Sequence, residues 1–450
     1  MRRVVILALL FSSVQAVLWL GQAGHGAQTL LAFGFLIVAA YTIGELASAA
    51  RLPRIVGYMG AGVLFGPSVL GTVSAQAVGA LTPVSSLAIA LIAFLAGAEL
   101  RWSEVRERGI AILKIMSSEM ALTFVCIMAL LVSLRTFVPF MSGLGWPGTV
   151  ALAALFASMA VVHSPAVTMA LLTETGARGP VARSTLGVVL ISDVAVIVLF
   201  STCLTIARSV VPPGSDNGGV TVLAIVWEIA GSVVVGAALG GAVALYLRVA
   251  RHELFLFAIL VTVFGAEVAR LLHVETLLTL LVAGFVTENT SRRSDGTALR
   301  LAMERSAAPV FVVFFALAGA EIALGTLASV WPLVIPVVLI RAAAIRGGTA
   351  LGTRWAKVSS VEAQYTWMGL ISQAGVAVGL AAILADVYPE RGESIRALFL
   401  ATLAVNQVAG PVMFRRALAR SGELAGSDKS GDTIVAATGG HPSPDAIVVG

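Results

Sequence analysis

The chain has 450 residues, 58% of them hydrophobic and only 12% charged, with a mean hydropathy of +0.97. That balance excludes a soluble globular core and fits a protein that crosses a bilayer many times. The formal charge of +5 does not point to nucleic acid, because the basic residues sit in short clusters between apolar runs, where they orient helices.

From the N-terminus, Arg2 and Arg3 precede an apolar run at 4–20, and small and polar residues follow. Residues 1–27 therefore read either as a signal-like segment or as a first transmembrane helix. Thirteen further runs follow, at 27–47, 53–72, 81–100, 109–138, 147–173, 181–207, 221–247, 253–271, 274–288, 306–324, 329–350, 363–386 and 395–414. The expected fold class is an all-α polytopic membrane protein with 13–14 transmembrane helices. Alternate connections hold nearly all the Lys and Arg, from Arg51 and Arg54 to Arg415, Arg416 and Arg420, and by the positive-inside rule these face the cytoplasm. Beyond the membrane domain, 28–416, the Ser-, Gly- and Asp-rich residues 417–450 read as a disordered cytoplasmic tail.

Residues 95–99 and 317–321 both read LAGAE, each closing an apolar run. If every run spans, the two copies have opposite orientations, which is an inverted-topology repeat, with halves at about 53–207 and 274–414. Secondary transporters built this way hold their substrate between the halves.

Asp193 lies in the middle of VVLISDVAVIVLF. A charge at such a depth costs about 2.5–3.5 kcal/mol on insertion scales, so the group is either paired or binds something. Burial disfavours the bare charge, and a carboxylate in this setting can trade a proton for a hard monovalent cation. In VVHSPAVTMALL, residues 161–172, Pro165 removes a backbone donor inside an apolar run and should break the helix. The corresponding run of the second half reads GLISQAGVAVG at 369–379, where Gly369, Gly375 and Gly379 permit unwinding around Gln373. Irregular backbone at membrane depth is tolerated where it lines a cavity or is buried in protein, so paired interrupted helices point to an ion site. Arg341, mid-run in VVLIRAAAIRGG, is placed to balance the partial charges of broken helix ends, with snorkelling to the interface as the alternative.

The remaining charges read as structural. Glu119 and Lys114 are expected to pair along one helix, as are Glu267 and Arg270, while Glu45, Glu99, Glu288 and Glu321 fall near helix ends. Gly62 with Gly66, and Gly236 with Gly240, allow close helix contact, either internally or in a dimer. Cys126 and Cys203 lack any disulfide or metal spacing and read as packing residues. No nucleophile with a base, phosphate loop or metal-ligand set supports an enzyme.

Taken together, LPRIVGYMGAGVLFGPSVLG at 52–71, FLAGAELR at 94–101, HSPAVT at 163–168, GARGPVARSTLGVVLISDVAVIVLF at 176–200 and ISQAGVAVGLA at 371–381 resemble the monovalent cation:proton antiporter superfamily. The likeness is to the sodium/hydrogen exchanger-like branch that contains Kef-type potassium/proton antiporters. It implies two crossed unwound helices, here at 147–173 and 363–386, in a core that moves against a dimerisation domain. It puts the ion- and proton-binding carboxylate at Asp193, beside Ser192, and the charge-balancing residue at Arg341. His163, Ser164, Pro165, Thr168, Gln373 and Gly375 then belong to the unwound-helix site. Members usually carry Asp, Asn or Gln where this chain has Ser192, and a single aspartate goes with electroneutral exchange. A Ser or Thr is more usual at His163, which reads as a pH sensor, as part of the ion path, or as a hydrogen-bonded core residue.

The expected function is exchange of Na+ or K+ for H+ across an inner membrane by a homodimer, with no cofactor and no metal beyond the transported ion. The rivals are a Kef-like potassium efflux system and a transport-inactive sensor or partner subunit of the same fold.

Overall fold

The computed structural model describes residues 11–13, 25–100, 102–211, 222–248, 254–291, 293–373, 380–381, 384 and 387–424. Most of the segment 1–27, Gly375 and the tail from 425 lie outside them.

Apolar runs become helices because a bilayer offers the backbone no hydrogen-bond partners, and a helix satisfies its own. In chain order they are α1 (His25–Ala49), α2 (Arg54–Phe65), α3 (Ala75–Ala80), α4 (Thr82–Ala98), α5 (Trp102–Ser133), α6 (Trp146–Ala160), α7 (Pro165–Thr175) and α8 (Pro180–Val210). There follow α9 (Val222–Leu247), α10 (Leu254–Leu271), α11 (Thr276–Thr290), α12 (Arg293–Ala320), α13 (Leu324–Ala356), α14 (Ser360–Gly369) and α15 (Pro389–Arg420). Seven helical stretches among the described residues are long and apolar enough to cross a membrane, and four shorter apolar helices accompany them.

Several helices extend past their apolar runs, two of them with consequences for the chain's boundaries. α12 starts at Arg293, thirteen residues before the run at 306, and α15 continues to Arg420, beyond the expected domain end at 416. Glu423 then folds back, its carboxylate accepting from the N–H groups of Val181 (2.8 Å) and Ala182 (2.9 Å). These are first-turn donors of α8 that no intrahelical carbonyl can reach.

The helices pair reciprocally. α2 packs on α12, α11 packs on α4, and α5 lies against α13, its counterpart in the other half. Glycines set the first two contacts. Gly97, in the first LAGAE, lies against the backbone of Leu281, and Gly319, in the second, lies against the backbone of Met59. The two copies thus hold equivalent places in the fold. Gly62 and Gly66 face the backbone of Ala316 and Ala320, while Gly236 and Gly240 face α11 at Thr279 and Ala283. Both small-residue pairs therefore serve internal packing.

Two buried apolar clusters result. One gathers α1–α4 and α9–α12, together with α7, early α8 (Ala182, Leu186, Leu190) and the C-terminal part of α15 (Ala404, Phe414, Ala417, Leu418). The other gathers α5, α6, the remainder of α8, α13 and the first part of α15 (Ile395 to Leu403). α8, which carries Asp193, runs along the boundary.

Candidate functional site

The first interruption lies between α6 and α7. Residues 161–164 leave the helix, and Pro165 opens α7 at a position where a missing N–H costs nothing. Ser164 caps α7, its hydroxyl accepting from the Val167 N–H at 3.2 Å. Thr168 is buried and donates back to the Ser164 carbonyl at 3.0 Å. The second interruption follows α14: Leu370 ends the turn, and 371–373 are not helical. The backbone thus leaves the helix just before Gln373, and Gly379, like Gly375, lies outside the described residues.

Breaking two helices exposes carbonyls with no intrahelical donor, and Arg341 collects them. Its guanidinium donates from Nε to Ala160 O (2.7 Å), from Nη2 to Val162 O (2.9 Å) and from Nη1 to Ile371 O (2.7 Å). Arg341 is wholly buried, so the snorkelling alternative is not what this side chain does. A cation at carbonyl-rich helix ends is electrostatically favourable, and its planar fork reaches both broken strands at once. Gln373 adds a second bridge, donating to Ala160 O at 3.2 Å and accepting from Asn406 Nδ2 of α15 at 2.8 Å.

Against this crossing lies a cavity of about 40 Å³, room for a few water-sized particles. Ser164, Pro165, Asp193 and Glu275 line it, and its other walls are apolar, including Ile92 of α4 and Phe314 of α12. Asp193 Oδ1 is buried and accepts no hydrogen bond among the described residues. An orphaned carboxylate oxygen beside a cavity is costly unless a proton or cation visits it. Ser192 is also buried, but its hydroxyl donates to Val189 O at 2.8 Å and is not part of the cavity wall. Thr168 is not part of that wall either.

Glu275 and Asn406 were not legible as site residues. Glu275 sits at the start of α11, where its carboxylate caps the Leu278 N–H, and Ser232 holds its backbone N–H at 2.8 Å. Its charge near a helix start is ordinary sequence; only tertiary packing puts it beside Asp193.

Glu119 also departs from expectation. It does not pair with Lys114: the ammonium reaches Trp355 O at 3.5 Å and lies 5.4 Å from that indole centroid. Five positions place the two side chains roughly 140° apart around a helix, so one points in and the other out. Glu119 turns into the core, accepts from Thr123 Oγ1 at 2.8 Å and meets His163 Nε2 at 3.0 Å. The exposed pair of Glu267 with Arg270 forms as expected, at 2.6 Å.

A model of the sodium/hydrogen exchanger transmembrane family matches residues 34–416. The chain belongs to that family. It is therefore a multi-pass membrane protein of the monovalent cation:proton antiporter superfamily, a transporter by family. The fold resembles the sodium proton antiporter MjNhaP1 from Methanocaldococcus jannaschii at pH 8, with a TM-score of 0.65 and 14% identity, covering 88% of this chain and 97% of that one. An electron-microscopy structure of the same antiporter gives a TM-score of 0.70 at 14% identity, covering 86% and 95%. At that identity the likeness speaks for the fold alone. No curated protein matches the chain.

Proposed function

We propose that this antiporter exchanges Na+ or K+ for H+ at Asp193, one cation per proton, by alternating access. The observation that carries the assignment is the buried, unpartnered Oδ1 of Asp193 on a cavity that also touches Ser164 at the helix crossing. When protonated, the carboxyl is neutral and tolerated in the apolar surroundings; when deprotonated, it needs the cation. The two ligands thus compete for one group, and neither can cross in company with the other.

Across the cavity, α7 and α8 face α4, α11 and α12, and this is the surface along which the part holding the crossing moves. Ser192 brings no charge, which supports electroneutral exchange. Glu275 is engaged as the cap of α11 and serves as a fixed charge across the cavity. The protein works in the inner membrane as a homodimer and needs no organic cofactor.

The test is proton flux in proteoliposomes with a lumenal pH dye after pulses of Na+, K+ or Li+. Cation-driven flux in the native chain and none in Asp193→Asn supports the reading; equal flux in both removes Asp193 from it. Flux that follows an imposed membrane potential and itself carries current would overturn one-for-one stoichiometry.

A further inference from the structure

A second buried titratable group stands outside the Asp193 cavity. Glu119 of α5 and His163 of the first unwound segment are both 0% exposed, and neither lines that cavity. The imidazole lies between two acceptors: Nδ1 is 2.7 Å from Leu370 O, and Nε2 is 3.0 Å from Glu119 Oε2. A carbonyl oxygen can only accept, so Nδ1 must carry a proton for that contact to hold. The Nε2 to Oε2 contact then needs another proton, whether it resides on the ring or on the carboxyl. Without it, one of the two short contacts sets lone pair against lone pair. Switching tautomers only moves the conflict from Glu119 to Leu370.

We propose that Glu119 and His163 form a proton-loaded lock on the helix crossing, a proton site separate from Asp193, whose release weakens cation binding as the pH rises. Loaded, the lock ties together α5, the first unwound segment and the end of α14. Ser164, next in sequence to His163, both caps α7 and lines the cation cavity, so the cavity wall depends on where His163 is held. Deprotonation sends one proton to solvent and breaks one of the two ties. Full burial slows that exchange.

The neighbouring charges are accounted for. Arg341 of α13 acts electrostatically on Glu119, and remains the counter-charge to its carboxylate after the proton leaves. Elsewhere on α13, Arg346 lies over the Trp367 ring. Lys114 of α5 turns to Trp355, and Glu362 of α14 pairs with Arg108 at 3.2 Å. On α7, Glu174 accepts from the Arg54 N–H, and on α8, Asp193 faces the cavity. Glu119 is held in place by backbone contact, since a Cβ at Gly348 of α13 would meet its Cα at 2.5 Å.

Glu119→Gln tests the lock, because a Gln amide can donate to Nε2 and accept from Thr123 with no titrating proton. The inference rests on exchange at Asp193, and the measurement is the cation KM across pH in proteoliposomes. In the native chain, KM should first fall as protons leave Asp193, then rise by up to about tenfold per pH unit once the lock empties. In Glu119→Gln, KM should fall and then level, with no upturn; a curve superimposable on the native one overturns the lock.

A second arm does not need transport. With Asp193→Asn as background, the melting temperature in detergent should drop across the same pH window, and adding Glu119→Gln should flatten that drop. An unchanged drop overturns the lock even where the double variant is inactive. Absence of cation-driven flux in the native chain would count against the exchange reading, and the melting arm would still decide the lock.

Discussion

Two regions of this molecule join helices by opposite means. Between α2 and α12, and between α4 and α11, glycines let backbones touch, and among the described residues no wholly buried charged side chain lies there: Gly319 meets Met59, and Gly97 meets Leu281. Between α5, α6, α13 and α14 the helices are also close, with Gly348 against Glu119 and Gly352 against Ile115, but the contact encloses Arg341, Glu119, His163 and Gln373. The first interface is a rigid frame that asks only for shape. The second must satisfy carbonyls released by two broken helices, and it does so with charged donors that later have chemistry to answer for. Asp193 lies where the two kinds of packing meet.

The largest effect that would sharpen this contrast is Arg341→Met. It orphans three carbonyls and removes the counter-charge to Glu119, and breaking a buried charged network costs on the order of 3–5 kcal/mol. Loss of a monodisperse detergent-solubilised protein is expected, measured by size-exclusion chromatography and thermal unfolding. A Met variant as stable as the native chain would show that the crossing does not depend on this cation.

Gly97→Val comes next. Its side chain would strike the Leu281 backbone, and overpacking of that kind costs about 1–3 kcal/mol. The melting temperature should fall while the cation dependence of any residual exchange stays native, because the frame carries no ion chemistry. A changed ion preference would blur the distinction between frame and crossing.

Ser192→Ala removes one hydrogen bond to Val189 O, worth about 1 kcal/mol, and should leave charge moved per cycle unaltered. Ser192→Asp is its informative partner: a second carboxylate at that position should make exchange respond to membrane potential. The smallest effect is expected at Glu267→Gln, where an exposed ion pair contributes within about 1 kcal/mol, and no shift in melting should be resolved.

Residue types and their order were enough to reveal the helical class, the break at Pro165 and the exceptional residues Asp193 and Arg341. A polar group in an apolar run or a proline in a helix is expensive enough to stand out without coordinates. The LAGAE repeat and the small-residue pairs were visible as patterns, though which backbone each glycine meets was not. Tertiary structure decided everything that depends on direction around a helix or on distant partners. It turned Glu119 inward to His163 and sent Lys114 to Trp355, placed Ser192 and Thr168 off the cavity wall, and brought Glu275 to Asp193 from 82 residues away in the chain. Hydrophobic period gives a helix its buried face, but hydrogen bonds to freed carbonyls are long-range, and only folding says which donor reaches them.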